Sequence, residues 1–100
     1  MQHIIVMIPK TFKLFNTTWT VKQVHKIDNE GSLGICDYNT ATIRIRRNLK
    51  KDIKESTFYH ELMHAILDTL NYDSLSSDEK FVDTMGQSLH QVLKTIDYGK

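Results

Sequence analysis

The sequence holds a single cysteine, Cys36, and a single proline, Pro9. One cysteine cannot form an intrachain disulfide and excludes a zinc site built from several cysteines, so we expect Cys36 to fill the core. Neither sign of charge dominates, because 13 Lys and Arg residues stand against 12 Asp and Glu residues and give a net charge of +1. That balance excludes both the basic footprint of a nucleic-acid-binding protein and an acidic tail.

Long hydrophobic runs are also missing. The N-terminal apolar run from Ile4 to Ile8 ends at Pro9 and is far shorter than the roughly 20 residues that span a bilayer. It lacks the charged start and the cleavage site of a secretory signal. We therefore expect a cytoplasmic location with no membrane and no nucleic-acid partner. Lys and Arg residues cluster between Arg44 and Lys54, which solvated faces and loop ends explain better than a nucleic-acid patch.

The periodicities that are present predict one small α+β domain. With 100 residues, 40% of them hydrophobic, the chain can bury a single modest core. Alternating apolar and polar residues in the first half predict a sheet of three or four strands. The candidate strands are Lys10–Phe15, Trp19–Ile27, Leu33–Asp37 and Ala41–Arg46. Helical spacing then covers Asn48 to Asn71, and a second long helix begins at Ser76 or Ser77 and lasts almost to the C-terminus.

The most informative stretch is His60-Glu61-Leu62-Met63-His64, which spells His-Glu-x-x-His inside the first predicted helix. On a helix, His60 and His64 are rotated by about 40° and separated by about 6 Å, so both imidazoles share a face. Two neutral imidazoles so placed can hold two corners of a tetrahedral Zn²⁺ site. Glu61 lies about 100° around the helix from His60, which suits a general base that acts on a water.

A coincidental His pair is the alternative, because three fixed letters in five residues also arise by chance and the chain has five His. The flanking residues argue against it. Between Glu55 and Asp68, only the two His, Glu61 and the Tyr59 phenol can ionise. Burying such groups in an otherwise apolar helix is costly unless they are paired or bound to a metal. The pattern therefore predicts zinc.

Residues 57–66 place uncharged flanks around the His-Glu-x-x-His core and resemble the extended zincin signature. The chain resembles small phage and mobile-element metallopeptidases related to the ImmA/IrrE family, within the gluzincin-like group. Residues 79–89 resemble the family's second motif more loosely. The resemblance implies a minimal zincin-like endopeptidase whose substrate is a phage or host regulatory protein. It also implies that Ala41 to Arg46 form the sheet edge that pairs with substrate, although an ordinary amphipathic strand would show the same alternation.

A catalytic zinc site needs a third protein ligand and an open position. Asp68 follows His64 by four residues, but it stands about 6 Å further along the helix and has a short side chain. Asp78 and Glu79 open the second helix. The resemblance favours Glu79, with Asp78 as its rival. The ligands that the sequence and the resemblance together predict are His60, His64 and Glu79.

The resemblance also implies a role for Asp83, because Glu79 and Asp83 have the Glu-x-x-x-Asp spacing of gluzincins. There the Asp orients a ligand His, and His60 is the expected partner. A purely structural role for Glu79 stays open, since Ser76 and Glu79 form a capping-box pattern. His90 stands about 16 Å beyond Glu79 on the same helix; it is a poor additional ligand and could be a surface histidine.

The sequence identifies no residue that stabilises the transition state. Candidates without a spacing argument are Tyr59, Tyr72, His90 and Tyr98. Two other classes of function therefore stay open. One is a degenerate zincin that keeps zinc for structure and docks a protein partner without turnover. The other is a metal-free regulatory protein.

Overall fold

The structure is a computed structural model, and it describes residues 7–28 and 31–99. Four strands precede three helices, which confirms the predicted α+β class. The strands are β1 (Thr11–Leu14), β2 (Thr17–Val24), β3 (Gly34–Asp37) and β4 (Thr42–Arg46). The helices are α1 (Lys51–Thr69), α2 (Asp73–Ser76) and α3 (Glu79–Thr95).

The strand order in the sheet is β1-β2-β4-β3. β4 runs parallel to β2 on one side and antiparallel to β3 on the other, so both edges of its backbone are paired. The prediction that Ala41 to Arg46 form the sheet edge is therefore wrong. In the tight turn after β3, the carboxylate of Asp37 accepts hydrogen bonds from the backbone N–H groups of Asn39 and Thr40. The turn folds β4 back between its neighbours, and β3 is left as an edge strand of the described sheet.

The main core lies between the sheet and α1. Ile43 and Ile45 of β4 are fully buried, and they share this core with Trp19 of β2 and with Phe58 and Ala65 of α1. A smaller cluster between the helices contains Met63, Leu67 and Val82. Helix α1 is thus covered by the sheet on one side and by α3 on another. This double cover explains why its polar residues are also largely withdrawn from solvent.

Local capping sets the path from α1 to α3. Helix α1 ends in a Schellman motif: Asn71 adopts a φ of 64°, and the N–H of Tyr72 donates to the carbonyl of Leu67. The short α2 follows. Asp78 then caps α3 by accepting a hydrogen bond from the N–H of Phe81. The predicted start at Ser76 or Ser77, and the capping box of Ser76 with Glu79, are therefore wrong.

Among the helices of the described residues, none combines the length and the apolar character that crossing a bilayer requires.

Candidate metal centre

Two polar stripes face each other across the contact between α1 and α3. Residues four apart on a helix lie on one face, and the two helices run antiparallel here because low-numbered residues of one meet high-numbered residues of the other. The α1 stripe contains Ser56, His60 and His64; the α3 stripe contains Glu79, Asp83 and Gln87. Their contacts form a ladder, with Glu79 beside both His residues, Asp83 beside His60 and Gln87 beside Ser56.

Both carboxylate oxygens of Glu79 point at the histidine rings. Oε1 lies 3.1 Å from Nε2 of His60, and Oε2 lies 3.3 Å from Nε2 of His64. The donor atoms of His60, His64 and Glu79 all lie within 4.8 Å of one another. Two imidazole nitrogens and one carboxylate oxygen are a common ligand set of catalytic zinc. The three residues that the sequence and the resemblance predicted are thus brought together, and their donor chemistry fits the metal.

The other nitrogen of each ring has its own partner. Nδ1 of His60 lies 3.1 Å from Oδ1 of Asp83, as the resemblance implied, and Nδ1 of His64 lies 3.0 Å from Oγ of Ser76. When Nδ1–H donates to these oxygens, each ring is in the tautomer whose Nε2 lone pair can bind a metal. Both Nε2 atoms face Glu79, so the rings are held in a ligating orientation by residues that do not bind the metal themselves.

Glu61 lies beside the cluster but on the side of α1 that faces the sheet, and only 8% of it is exposed. The pKa of Glu61 is raised to about 7: burial is the largest cause, His60 lowers the pKa and Glu79 raises it. The edge strand makes this burial possible. A Cβ placed on Gly34 of β3 would lie 2.6 Å from Thr57 and 3.3 Å from Cγ of Glu61, so glycine is what lets the β3 backbone approach the carboxylate.

A cleft of about 530 Å³ opens in front of these groups. Its walls are residues 32–36 around the edge strand, the α1 stripe with Glu61, and the α3 stripe. Asp68 also lines the cleft but is not part of the ligand cluster. Cys36 lies in the wall rather than deep in the core, and burial raises the pKa of its thiol to about 12, with Glu61 adding to the shift. The site is thus an open groove bordered by a strand edge.

The other candidate residues lie elsewhere. Asp78, the rival ligand, is engaged in capping α3. His90 is not a surface residue: it is 8% exposed, stacks on Tyr59 and lies 3.1 Å from the buried Glu55. None of the four candidates for transition-state stabilisation is among the described residues that line the cleft: Tyr59, Tyr72, His90 and Tyr98.

The sequence did not reveal that Gly34, Ser76 and Gly86 contribute to the site. Gly34 was detectable, because a glycine inside a short strand signals close approach of another backbone or side chain. Ser76 was not, since its contact with His64 depends on the turn through α2. Gly86 lets the two helices approach closely at the site itself: a Cβ there would lie 2.8 Å from the carbonyl oxygen of Tyr59 and 3.1 Å from Cα of His60.

Comparison with known proteins yields no matching family model, no matching curated protein and no matching solved structure.

Proposed function

We propose that the protein is a zinc-dependent endopeptidase, as the resemblance to ImmA/IrrE-related zincins implies. The observation that carries the proposal is the convergence of His60, His64 and Glu79, whose donor atoms lie within 4.8 Å of one another. A paired carboxylate between two histidines could also be a plain ion-pair cluster. The proposal is supported by the arrangement of the rings, because each Nδ1 atom has its own partner while both Nε2 atoms converge on Glu79, as the nitrogens of ligand histidines converge on a metal.

In this proposal His60, His64 and Glu79 hold Zn²⁺, which when bound supplies Lewis-acid polarisation of the scissile carbonyl and lowers the pKa of a water. Glu61 takes a proton from the attacking water and passes it to the leaving amine. Its buried position beside His60 suits that task, because a carboxyl shielded from solvent accepts a proton more readily than an exposed one. Asp83 and Ser76 keep the imidazoles oriented throughout the reaction.

The substrate is a peptide that adds a strand to the sheet. β3 borders the cleft and has a free edge within the described residues, whereas β4 does not. Peptide binding at such an edge uses main-chain hydrogen bonds, so it does not depend on one side-chain sequence. A peptide that is cleaved should lose binding when its amides facing β3 are N-methylated. Unchanged binding of the methylated peptide would remove β3 from the proposal.

A regulatory protein of a phage or its host is the substrate in this proposal, and a cytoplasmic setting belongs to it. Both rest on the resemblance alone.

The direct test is cleavage of a synthetic mixture of random peptides by zinc-loaded protein, read by mass spectrometry. Wild type should generate new termini, and Glu61→Gln should bind zinc equally but generate none. Gln91→Glu is a matched control, since Gln91 is exposed on α3 and does not line the cleft. Equal product formation by wild type and Glu61→Gln would overturn the enzymatic proposal.

A zinc-stabilised binding module without turnover is the second candidate. One observation favours it: the cleft of the described residues contains no Tyr and no His besides the two ligands. Such a module would capture a protein partner on β3 with equal affinity in wild type and Glu61→Gln. A peptidase would instead release products from wild type and retain the partner only in Glu61→Gln.

A further inference from the structure

We propose that Asp68 is a specificity-determining residue, which selects substrates carrying a Lys or Arg side chain beside the cleaved bond. The inference rests on the proposed peptidase function and extends it to a substrate class. It starts from the charge of the cleft. Of the described residues that line it, four are acidic and none is Lys or Arg. Three of those carboxylates belong to the proposed metal centre, as ligand, as partner of a ligand or as general base. The fourth has no such role.

The three engaged carboxylates are those of Glu61, Glu79 and Asp83. Glu79 lies between the two histidines, and Asp83 lies on Nδ1 of His60. Glu61 is withdrawn under the edge strand. The fourth, Asp68, forms no ion pair with any described residue. Its negative charge is therefore directed into the cleft without a counter-charge from the protein. A cationic group of a ligand is the natural partner for it.

The position of Asp68 fits a side chain next to the reacting bond. It follows His64 by one helical turn on the same face of α1, about 6 Å further along the axis. Cys36 of the edge strand lines the same cleft and stands two residues beyond Gly34, which lies against Thr57 and Glu61. A peptide paired with β3 would thus pass between strand and helix here. Lys and Arg are long enough to extend a charged head group from that backbone to Asp68.

The cations on the helix of Asp68 are too distant to neutralise it. On α1 they are Lys51 and Lys54, at the helix start, and Lys54 donates a hydrogen bond to Gln23. Lys54 precedes Asp68 by fourteen residues, or about 21 Å along the helix. The opposite end of the cleft is neutral, where the amide of Gln87 donates to Ser56. The groove is therefore asymmetric, with its unpaired negative charge at the Asp68 end.

Random-peptide digestion tests the proposal. Products of wild-type cleavage should be enriched in Lys and Arg at one position beside the new terminus, and Asp68→Lys should shift that enrichment to Asp and Glu. For matched peptides with Lys or Glu at that position, Asp68→Asn should lower the ratio of their kcat/KM values by about two- to fivefold. Asp73→Lys and Asp73→Asn are the controls, because Asp73 is exposed and outside the cleft. The same preference in wild type and Asp68→Lys would overturn the proposal.

The test separates this inference from the enzymatic one. If wild type cleaves peptides without any basic preference, the peptidase stands and the role of Asp68 is refuted. If wild type cleaves nothing, the readout is the affinity of zinc-loaded protein for fluorescent polyalanine peptides with one central Lys, norleucine or Glu. Tighter binding of the Lys peptide that is lost in Asp68→Asn supports the role of Asp68 although catalysis has failed. Equal affinities for the three peptides refute it.

Discussion

Nδ1 of His60 lies 3.1 Å from Oδ1 of Asp83, although the two residues are 23 positions apart in the chain. This contact links α3 to the imidazole ring of His60, whose Nε2 atom is one of the two nitrogens proposed to bind zinc. Replacing Asp83 by Asn removes the carboxylate that favours the required tautomer and strengthens the ligand. Zinc affinity, measured by competition with a chromophoric chelator, should fall about 10–100-fold.

Asp97→Asn is the matched control for this prediction, because Asp97 is exposed beyond the end of α3, where its carboxylate accepts a hydrogen bond from the N–H of Gly99. It should bind zinc as wild type does. If Asp83→Asn and Asp97→Asn have the same zinc affinity as wild type, Asp83 does not orient His60 in the metal-bound protein.

Gly86 is expected to be intolerant of a single added methyl group. Its Cβ would lie 2.8 Å from the backbone of Tyr59 and 3.1 Å from Cα of His60, so Gly86→Ala must move α3 away from α1. Overpacking of this kind costs about 1–3 kcal/mol of unfolding free energy. Because Glu79 and Asp83 move with α3, zinc affinity should fall as well.

Ser88→Ala provides the comparison for Gly86→Ala. Ser88 is exposed on the same helix, and its hydroxyl bonds only to the carbonyl of Thr84. Urea unfolding and zinc titration should show a lower unfolding free energy and a lower zinc affinity in Gly86→Ala, and neither loss in Ser88→Ala. Wild-type stability in Gly86→Ala would show that the helices are not in close contact at this position.

The pair of Glu55 and His90 is predicted to be structural. The two residues are 4% and 8% exposed and lie 3.1 Å apart. His90→Leu leaves the buried Glu55 carboxylate without its partner, which should cost about 1–3 kcal/mol. The folded variant should still bind zinc, because neither residue belongs to the ligand cluster. His25→Leu, a change at an exposed histidine, should leave stability within about 0.5 kcal/mol.

Cys36 should be a slow thiol. Burial, with the negative charge of Glu61, raises its pKa from 9.0 to about 12. The thiolate is the reactive form, so the folded protein below pH 9 should contain about a thousandfold less of it than the unfolded chain does. Alkylation by iodoacetamide, followed by mass spectrometry in chelator with and without urea, measures this difference. Equal rates in both conditions would place Cys36 in a solvated environment.

The parts of the site that the sequence predicted are local ones. His60 and His64 needed only the geometry of one helix. Glu79 needed the resemblance as well, because the sequence alone did not distinguish it from Asp78, which caps α3 in the structure. Ser76 could not be identified, since its approach to His64 depends on the Asn71 turn and on α2.

The order of the strands in the sheet could also not be predicted from local sequence patterns. The alternation in Ala41 to Arg46 correctly predicted that Ile43 and Ile45 face the core. Alternation specifies the faces of a strand but not its neighbours. The pairing of β4 with both β2 and β3 is a non-local choice, so the edge was assigned to the wrong strand.

The central claim, a zinc site made of His60, His64 and Glu79, is tested most directly by elemental mass spectrometry of untagged protein. The account predicts about one zinc per chain in wild type and in Glu61→Gln, and its loss in Glu79→Ala, because three protein ligands hold a catalytic zinc. Absence of zinc from wild type, also after dialysis against zinc, would contradict it. So would full retention in Glu79→Ala, which would leave Glu79 as an ion-pair partner of the two histidines.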